Sequence, residues 1–199
     1  PLDKIFETEE EALKTIEKCI LFFKENGIAG ERFSDTINRI GFENVQKELL
    51  SDEILKRKEE ILKHIYWAIN HDFEGFELYY QPIIDINTKS IITLEALLRL
   101  KMKDEYIQPK EFISLLEQTH LILPVGRWVL KTAMESWKEL QQLIPGLKMN
   151  VNMSFVQVNQ NNSVQMIIDI IKEIDTTLLG IEITETGELN SNQYYNFCI

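Results

Sequence analysis

Three polar residues interrupt otherwise apolar, strand-like stretches. They are Glu95 in Leu94-Glu95-Ala96-Leu97-Leu98-Arg99, Asn152 in Val151-Asn152-Met153-Ser154, and Glu182 in Ile181-Glu182-Ile183-Thr184-Glu185. An ionised carboxylate among Leu, Ile and Ala is costly unless something pairs with it. Each stretch is followed by a helix-like segment. Three such side chains at the ends of successive parallel strands are the donor set of a single divalent-metal site. Taken singly, each has a plainer reading. Glu95 would pair with Arg99 four residues on, Asn152 would be a buried amide satisfying the backbone, and Arg99 would neutralise Glu95 or Glu182.

The elements that must position these residues are legible from periodicity. Phe76 to Asp85, Ile91 to Leu100, Lys148 to Phe155 and Leu178 to Thr184 read as strands. Pro109 to Glu117, Val125 to Leu143 and Val164 to Ile174 read as helices between them. Strands separated by helices imply parallel β-α units. Alternation puts Asn150, Asn152 and Ser154 on one face of their strand and Met149, Val151 and Met153 on the other. Glu95 shares a face with Thr93, Leu97 and Arg99, and Ile181 and Ile183 oppose Glu182. Each strand thus has one apolar face and one that turns polar near its C-terminal end, as in a β/α barrel whose active site gathers at the C-terminal mouth.

Upstream, residues 8–26 read as a helix. Thr8 and Glu11 form a capping-box pattern, Gly27 is a stop, and Leu13, Ile16, Ile20 and Phe23 make an apolar stripe. A weaker helix is expected at Phe42 to Leu50. Another runs from Ser51 to Asn70, with Leu55, Leu62, Ile65 and Ile69 as its stripe. His64 and His71 are expected at the surface, and Trp67, Trp128 and Trp137 in the core. Glu9-Glu10-Glu11 is an acidic first turn favoured by the helix dipole.

The composition bounds the class. The 199 residues are 44% hydrophobic and 27% charged, as in a soluble globular protein. A net charge of −11 disfavours DNA or RNA polymers as partners, whereas a small phosphate ligand bridged by cations is compatible with it. Cys19 and Cys198 form neither a metal spacing nor a disulfide framework, so a reducing cytoplasm is the expected setting. There is no membrane-length apolar run and no signal peptide. The chain opens on Pro1 rather than Met, as a trimmed or excised segment would.

Six segments stand out together: Tyr79-Tyr80-Gln81-Pro82-Ile83, Glu95-Ala96-Leu97-Leu98-Arg99, Pro109 with Phe112-Ile113, Val125-Gly126-Arg127-Trp128-Val129-Leu130, Val151-Asn152-Met153-Ser154 with Gln157, and Glu182-Ile183-Thr184-Glu185. In their order and close to their spacing they resemble one family, the EAL-domain phosphodiesterases that hydrolyse cyclic di-GMP. The resemblance implies that Glu95, Asn152 and Glu182 are ligands to Mg²⁺ or Mn²⁺. It implies that Arg99 contacts a phosphate, that Gln81 lies against the nucleotide, and that Glu95 and Glu185 serve catalysis, Glu185 by supporting the site. Hard oxygen donors suit those ions, and no Cys/His cluster suggests zinc. The implied reaction is in-line attack of water on phosphorus, opening the ring to linear pGpG.

The departures from the family pattern matter equally. Its Asp-Asp-Phe-Gly-Thr-Gly run on the fifth strand has no counterpart between Glu182 and Ile199. A barrel of this type needs about 250 residues. The usual Trp after the motif is Leu100, the loop Lys101 to Gln108 lacks Pro and Gly, and His120 stands where the family has Gly. Pro1 to Gly27 is loosely similar to the closing segment of a diguanylate cyclase domain. The expected organisation is a helical N-terminal segment over 1–50, a connector helix over 51–72, and over 73–199 the first half of an EAL domain of (β/α)8 TIM-like type. The activity of the parent domain would be metal-dependent hydrolysis of cyclic di-GMP, with these residues alone inactive. The alternative is a degenerate EAL domain that binds cyclic di-GMP or a protein without hydrolysis. A homodimer or a cyclase domain in the parent protein would be its partner.

Overall fold

The computed structural model describes residues 5–160, 163–172 and 176–183. The chain divides into two compact units, residues 1–66 and 67–199.

The first unit is helical. It contains α1 (Glu9–Asn26), α2 (Phe33–Ile40), α3 (Phe42–Leu50) and most of α4 (Glu53–Ile69), within which the division falls. Thr8 caps α1 by accepting from the backbone N–H of Glu11 at 3.2 Å. Phe22, Val45, Leu49 and Ile54 form the core, with Cys19, Leu21, Phe33 and Ile37 packed against them. The expected apolar stripe of α1 faces the wrong way for that core. Leu13, Ile16 and Ile20 are more than half exposed, while Thr15, Lys18 and Phe22 are buried. Packing is organised by Phe22, and Phe22 and Phe23 both meet the edge of Phe33. Lys18 is tolerated inside because its ammonium reaches Asp52 at 2.7 Å. In α4 the buried line is Ile54, Ile61, Ile65 and Ala68, turned by about one residue from the expected stripe. Helix α2 lies in a segment for which no helix was expected.

The second unit is a mixed sheet with helices packed on one face. Its strands are β1 (Phe76–Ile84), β2 (Ile91–Met102), β3 (Glu105–Ile107), β4 (Lys148–Met153) and β5 (Leu179–Ile183), in the order β1-β2-β4-β5, with β3 also on β2. Strands β2, β4 and β5 are parallel, as expected. Strands β1 and β3 are antiparallel to β2, which corrects the all-parallel reading. The reason is covalent: only Asp85 to Ser90 joins β1 to β2, and a parallel crossover needs a dozen residues or more. Asp85 closes that turn by accepting from the N–H groups of Asn87 and Thr88 at 2.9 and 2.7 Å.

One edge of β2 is covered by β1 along its length. The other carries β4 over Thr93–Ala96 and β3 over Leu100–Met102. Among the described residues, Leu97, Leu98 and Arg99 have no ladder partner on that edge. The alternation in β4 holds, with Met149, Val151 and Met153 buried and Asn150 and Asn152 half-buried.

The helices of this unit are α5 (Pro109–Gln118), α6 (Ile122–Leu143), α7 (Phe155–Val158) and α8 (Ser163–Ile171); α5 and α6 pack on the sheet, and α7 and α8 pack against α6. Pro109 occupies the first turn of α5, where its missing N–H is no loss. Helix α6 buries Ile122, Val125, Val129, Leu130, Ala133, Met134 and Trp137 at three- and four-residue steps. Trp137 is core, as expected, and its indole N–H donates to the Leu147 carbonyl at 2.8 Å. Trp128 is half-buried and stacks on Phe73 at 5.5 Å. Trp67 departs from expectation: it is exposed and stacks on the exposed His71.

Candidate functional site

Register brings the three expected donors onto one face. Glu95 lies level with Asn150 across the β2–β4 ladder, and Asn152 lies level with Glu182 across the β4–β5 ladder. In a parallel sheet, level residues point to the same side, and alternate residues along a strand share that side. Glu95, Asn150, Asn152 and Glu182 therefore all stand on the face opposite the buried Met149, Val151 and Met153.

The hydrogen bonds run diagonally rather than level. Asn152 Nδ2 donates to Glu95 Oε1 at 2.8 Å, and Asn150 Nδ2 donates to Glu182 Oε1 at 2.6 Å. A carboxylate only accepts, so in each pair the amide presents its nitrogen and keeps its oxygen for another partner. Two carboxylates and the amide oxygen of Asn152 form a hard-oxygen set of the kind Mg²⁺ and Mn²⁺ take, while the Asn150 oxygen lies over Gly180. Among the described residues, no three His, Cys, Asp or Glu side chains cluster as a metal site. The polar set here is made half of amides.

Asn150 is the member that the sequence reading placed on this face but left without a role. Its signal was available: a second Asn two residues before Asn152, on the same side of the strand.

The remaining expected residues are placed as follows. Gln81 is exposed on β1, directly across the ladder from Glu95. Arg99 lies two alternations beyond Glu95 on the same face of β2. It pairs with neither Glu95 nor Glu182, so the plainer reading of Arg99 is not borne out. Its guanidinium donates to the Leu98 carbonyl at 2.9 Å and lies 5.6 Å from the Tyr79 ring. Glu185 lies outside the described residues.

Where the β2 edge is unpaired, a pocket of about 240 Å³ opens beside Asn152. Leu97, Ile113 and Val125 form apolar walls, and Arg99, Glu117 and Asn152 bring polar atoms to it. Its floor is a hydrogen-bonded turn. The Ser154 hydroxyl donates to Glu117 at 2.5 Å and accepts from the Val156 N–H, and Gln157 Oε1 accepts from the Ser154 N–H at 2.9 Å. Gln157 is buried against α6 at Gly126, where a β-carbon would lie 1.8 Å from its Nε2. The turn that ends the Asn152 strand is thus held by one residue that must be Gly and one that must reach back. His120, just before α6, has φ +58°, a left-handed conformation of the kind Gly takes most readily and consistent with its standing where the family has Gly. Lys101 to Gln108, expected as a loop, contains β3.

A family model described as the EAL domain matches residues 68–196. The chain is 31% identical over 138 residues to a cyclic di-GMP phosphodiesterase of Pseudomonas aeruginosa, covering 68% of this chain and 23% of that protein. It is 34% identical over 149 residues to a probable cyclic di-GMP phosphodiesterase of Escherichia coli, covering 69% and 19% respectively. Both relatives are more than four times as long as the matched part. Among solved structures, a MucR phosphodiesterase in complex with cyclic di-GMP shares the fold. Its TM-score is 0.61 at 24% identity, over 68% of this chain and 56% of that one.

Proposed function

The chain belongs to the EAL domain family, and on that premise we propose that it carries the first half of a metal-dependent site for hydrolysis of cyclic di-GMP to linear pGpG. The observation that carries this reading is the convergence of Glu95, Asn152 and Glu182 on one face, beside an Arg99 that, among the described residues, pairs with neither Glu95 nor Glu182.

Glu95, Glu182 and the amide oxygen of Asn152 would hold Mg²⁺ or Mn²⁺. When bound, the ions would polarise the phosphodiester and lower the pKa of the attacking water. Asn152 holds Glu95 in place through its Nδ2 while presenting its oxygen. Arg99 would neutralise a non-bridging phosphate oxygen, a charge-assisted contact stronger than a neutral hydrogen bond. A guanine base would enter the pocket between Leu97, Ile113 and Val125, with the Glu117 carboxylate as an acceptor for its N–H groups. Gln81, level with Glu95, would lie against the nucleotide, and Glu185 would support the site.

The number of donors supports a second reading. Among the described residues the site has two carboxylates, the low end of what a pair of Mg²⁺ ions takes at one or two carboxylates each. These 199 residues alone would then bind without hydrolysing, and a parent protein lacking further acidic ligands would be a non-catalytic receptor for cyclic di-GMP or a protein.

The test is chromatographic detection of pGpG from cyclic di-GMP and Mn²⁺ in the natural full-length protein. Glu95→Ala should abolish turnover and leave the unfolding transition nearly unchanged, because a ligand is lost but no packing. Turnover at the parent level in that variant would refute the assignment. Tight binding without any pGpG in the unmodified protein would select the receptor reading.

A further inference from the structure

We propose that Asn150 is a positioning residue for Glu182, and that residue 180 is Gly because Asn150 occupies the space a side chain there would take. The inference rests on the metal-site reading above and deepens it.

Three observations meet at this point. Glu182 is an exposed side chain on β5 with several rotatable bonds. Its carboxylate is held on one oxygen by Asn150 Nδ2 at 2.6 Å, across the diagonal of the β4–β5 ladder. Asn150 lies level with Gly180, and a β-carbon on residue 180 would sit 2.4 Å from Asn150 Oδ1 and 3.1 Å from its Cγ. Gly180 has no left-handed backbone to explain it, since no positive φ is recorded there. Gly also weakens a strand interior. Close approach of the amide supplies its reason.

The arrangement does a definite job. Glu182 Oε1 is engaged by the amide, so Oε2 is the oxygen presented to a cation. Without Asn150, the carboxylate would rotate freely in solvent and would have to be ordered by the metal itself. Partners that orient metal ligands typically govern 10- to 100-fold in metal affinity. Asn150 touches no substrate in this account; it acts through Glu182.

The experiment measures Mn²⁺ binding to the natural full-length protein by the loss of the free-ion paramagnetic resonance signal, without substrate. Asn150→Ala should raise the Mn²⁺ dissociation constant about 10- to 100-fold. Gly180→Ala should do the same by displacing the amide, although residue 180 carries no donor. The double variant Asn150→Ala/Gly180→Ala should bind no more than about twofold more weakly than Asn150→Ala alone, because the collision is gone. A merely structural role at each site would instead make the two losses multiply, and that result overturns the proposal. So does unchanged Mn²⁺ binding in Asn150→Ala while Glu182→Ala weakens it, an outcome that leaves the metal reading standing. If Glu182→Ala itself leaves Mn²⁺ binding unchanged, the metal reading and this inference fall together.

Discussion

Gly126→Ala opposes two effects of known sign. Gly126 lies inside α6, and on helix propensity alone the change should stabilise by about 1 kcal/mol. The tertiary structure predicts the reverse. The new β-carbon would lie 1.8 Å from Gln157 Nε2 and 2.7 Å from its Cδ. Gln157 is only 5% exposed and has nowhere to retreat without giving up the Ser154 N–H that its Oε1 accepts at 2.9 Å. Leaving that buried donor unsatisfied costs roughly 1–3 kcal/mol. Overpacking the helix contact adds roughly 1–3 kcal/mol. Set against the propensity gain, the net loss is about 3 kcal/mol within a range of about 1–5. The three tryptophans, Trp67, Trp128 and Trp137, all lie in the second unit, so urea unfolding followed by tryptophan fluorescence reports that unit. With a slope of about 2 kcal/mol per molar urea, the midpoint should fall by about 1.5 M. In a Gln157→Ala background the obstruction is absent, and Gly126→Ala should there be neutral or stabilising. A midpoint that stays put or rises in the single variant would refute the packing argument.

Three further outcomes follow from the same structure. His120→Gly should stabilise by a few tenths to about 1 kcal/mol, since relief of the left-handed strain at φ +58° outweighs the added chain entropy; a lower urea midpoint would show that the His120 side chain contributes more than its backbone costs. Replacing Leu13, Ile16 and Ile20 together by Gln should change stability by less than about 1 kcal/mol because all three are exposed, whereas Phe22→Ala should cost about 3–5 kcal/mol; the opposite ranking by circular dichroism would mean that the apolar stripe is the buried face of α1. Glu31 is held at a pKa of about 2 by its paired hydrogen bonds from Arg39, helped by Thr36 and the Ile28 N–H. Its folded pKa lies below the usual 4.5, so its contribution to stability is complete above that pH and is lost as the pH falls toward 2. Carboxyl NMR should show a Glu31 midpoint near 2 that rises in Arg39→Ala, and an ordinary midpoint in the unmodified chain would contradict the assignment.

The sequence by itself determined whatever depends on local periodicity or on a residue's own backbone. A strand period of two decided that Asn152 and Asn150 share the face opposite Met149, Val151 and Met153. Pro109 marked the start of α5, Thr8 capped α1, and His120 in place of Gly announced a left-handed residue. The family motifs, spread over six segments, pointed to the EAL family, whose model matches residues 68–196. The antiparallel β1–β2 pair was also legible, in a connection of six residues too short for a crossover, but alternation of strands and helices elsewhere masked it.

The tertiary structure decided which of several possible faces is covered and which atoms meet across the chain. Helix periodicity shows that α1 has an apolar stripe, yet Phe22 and its neighbours chose the adjacent face, because packing against α3 and Phe33 is a property of the assembled unit. Arg99 could be paired with Glu95 on paper; the strand turned its guanidinium to the Leu98 carbonyl and the Tyr79 ring instead. The diagonal amide–carboxylate bonds, the fit of Asn150 over Gly180, and the fit of Gln157 against Gly126 join residues that are from 30 to 57 positions apart. Local sequence carries no term for such contacts. They exist only once parallel register has set neighbouring strands about 4.8 Å apart and brought the side chains within hydrogen-bonding or steric range.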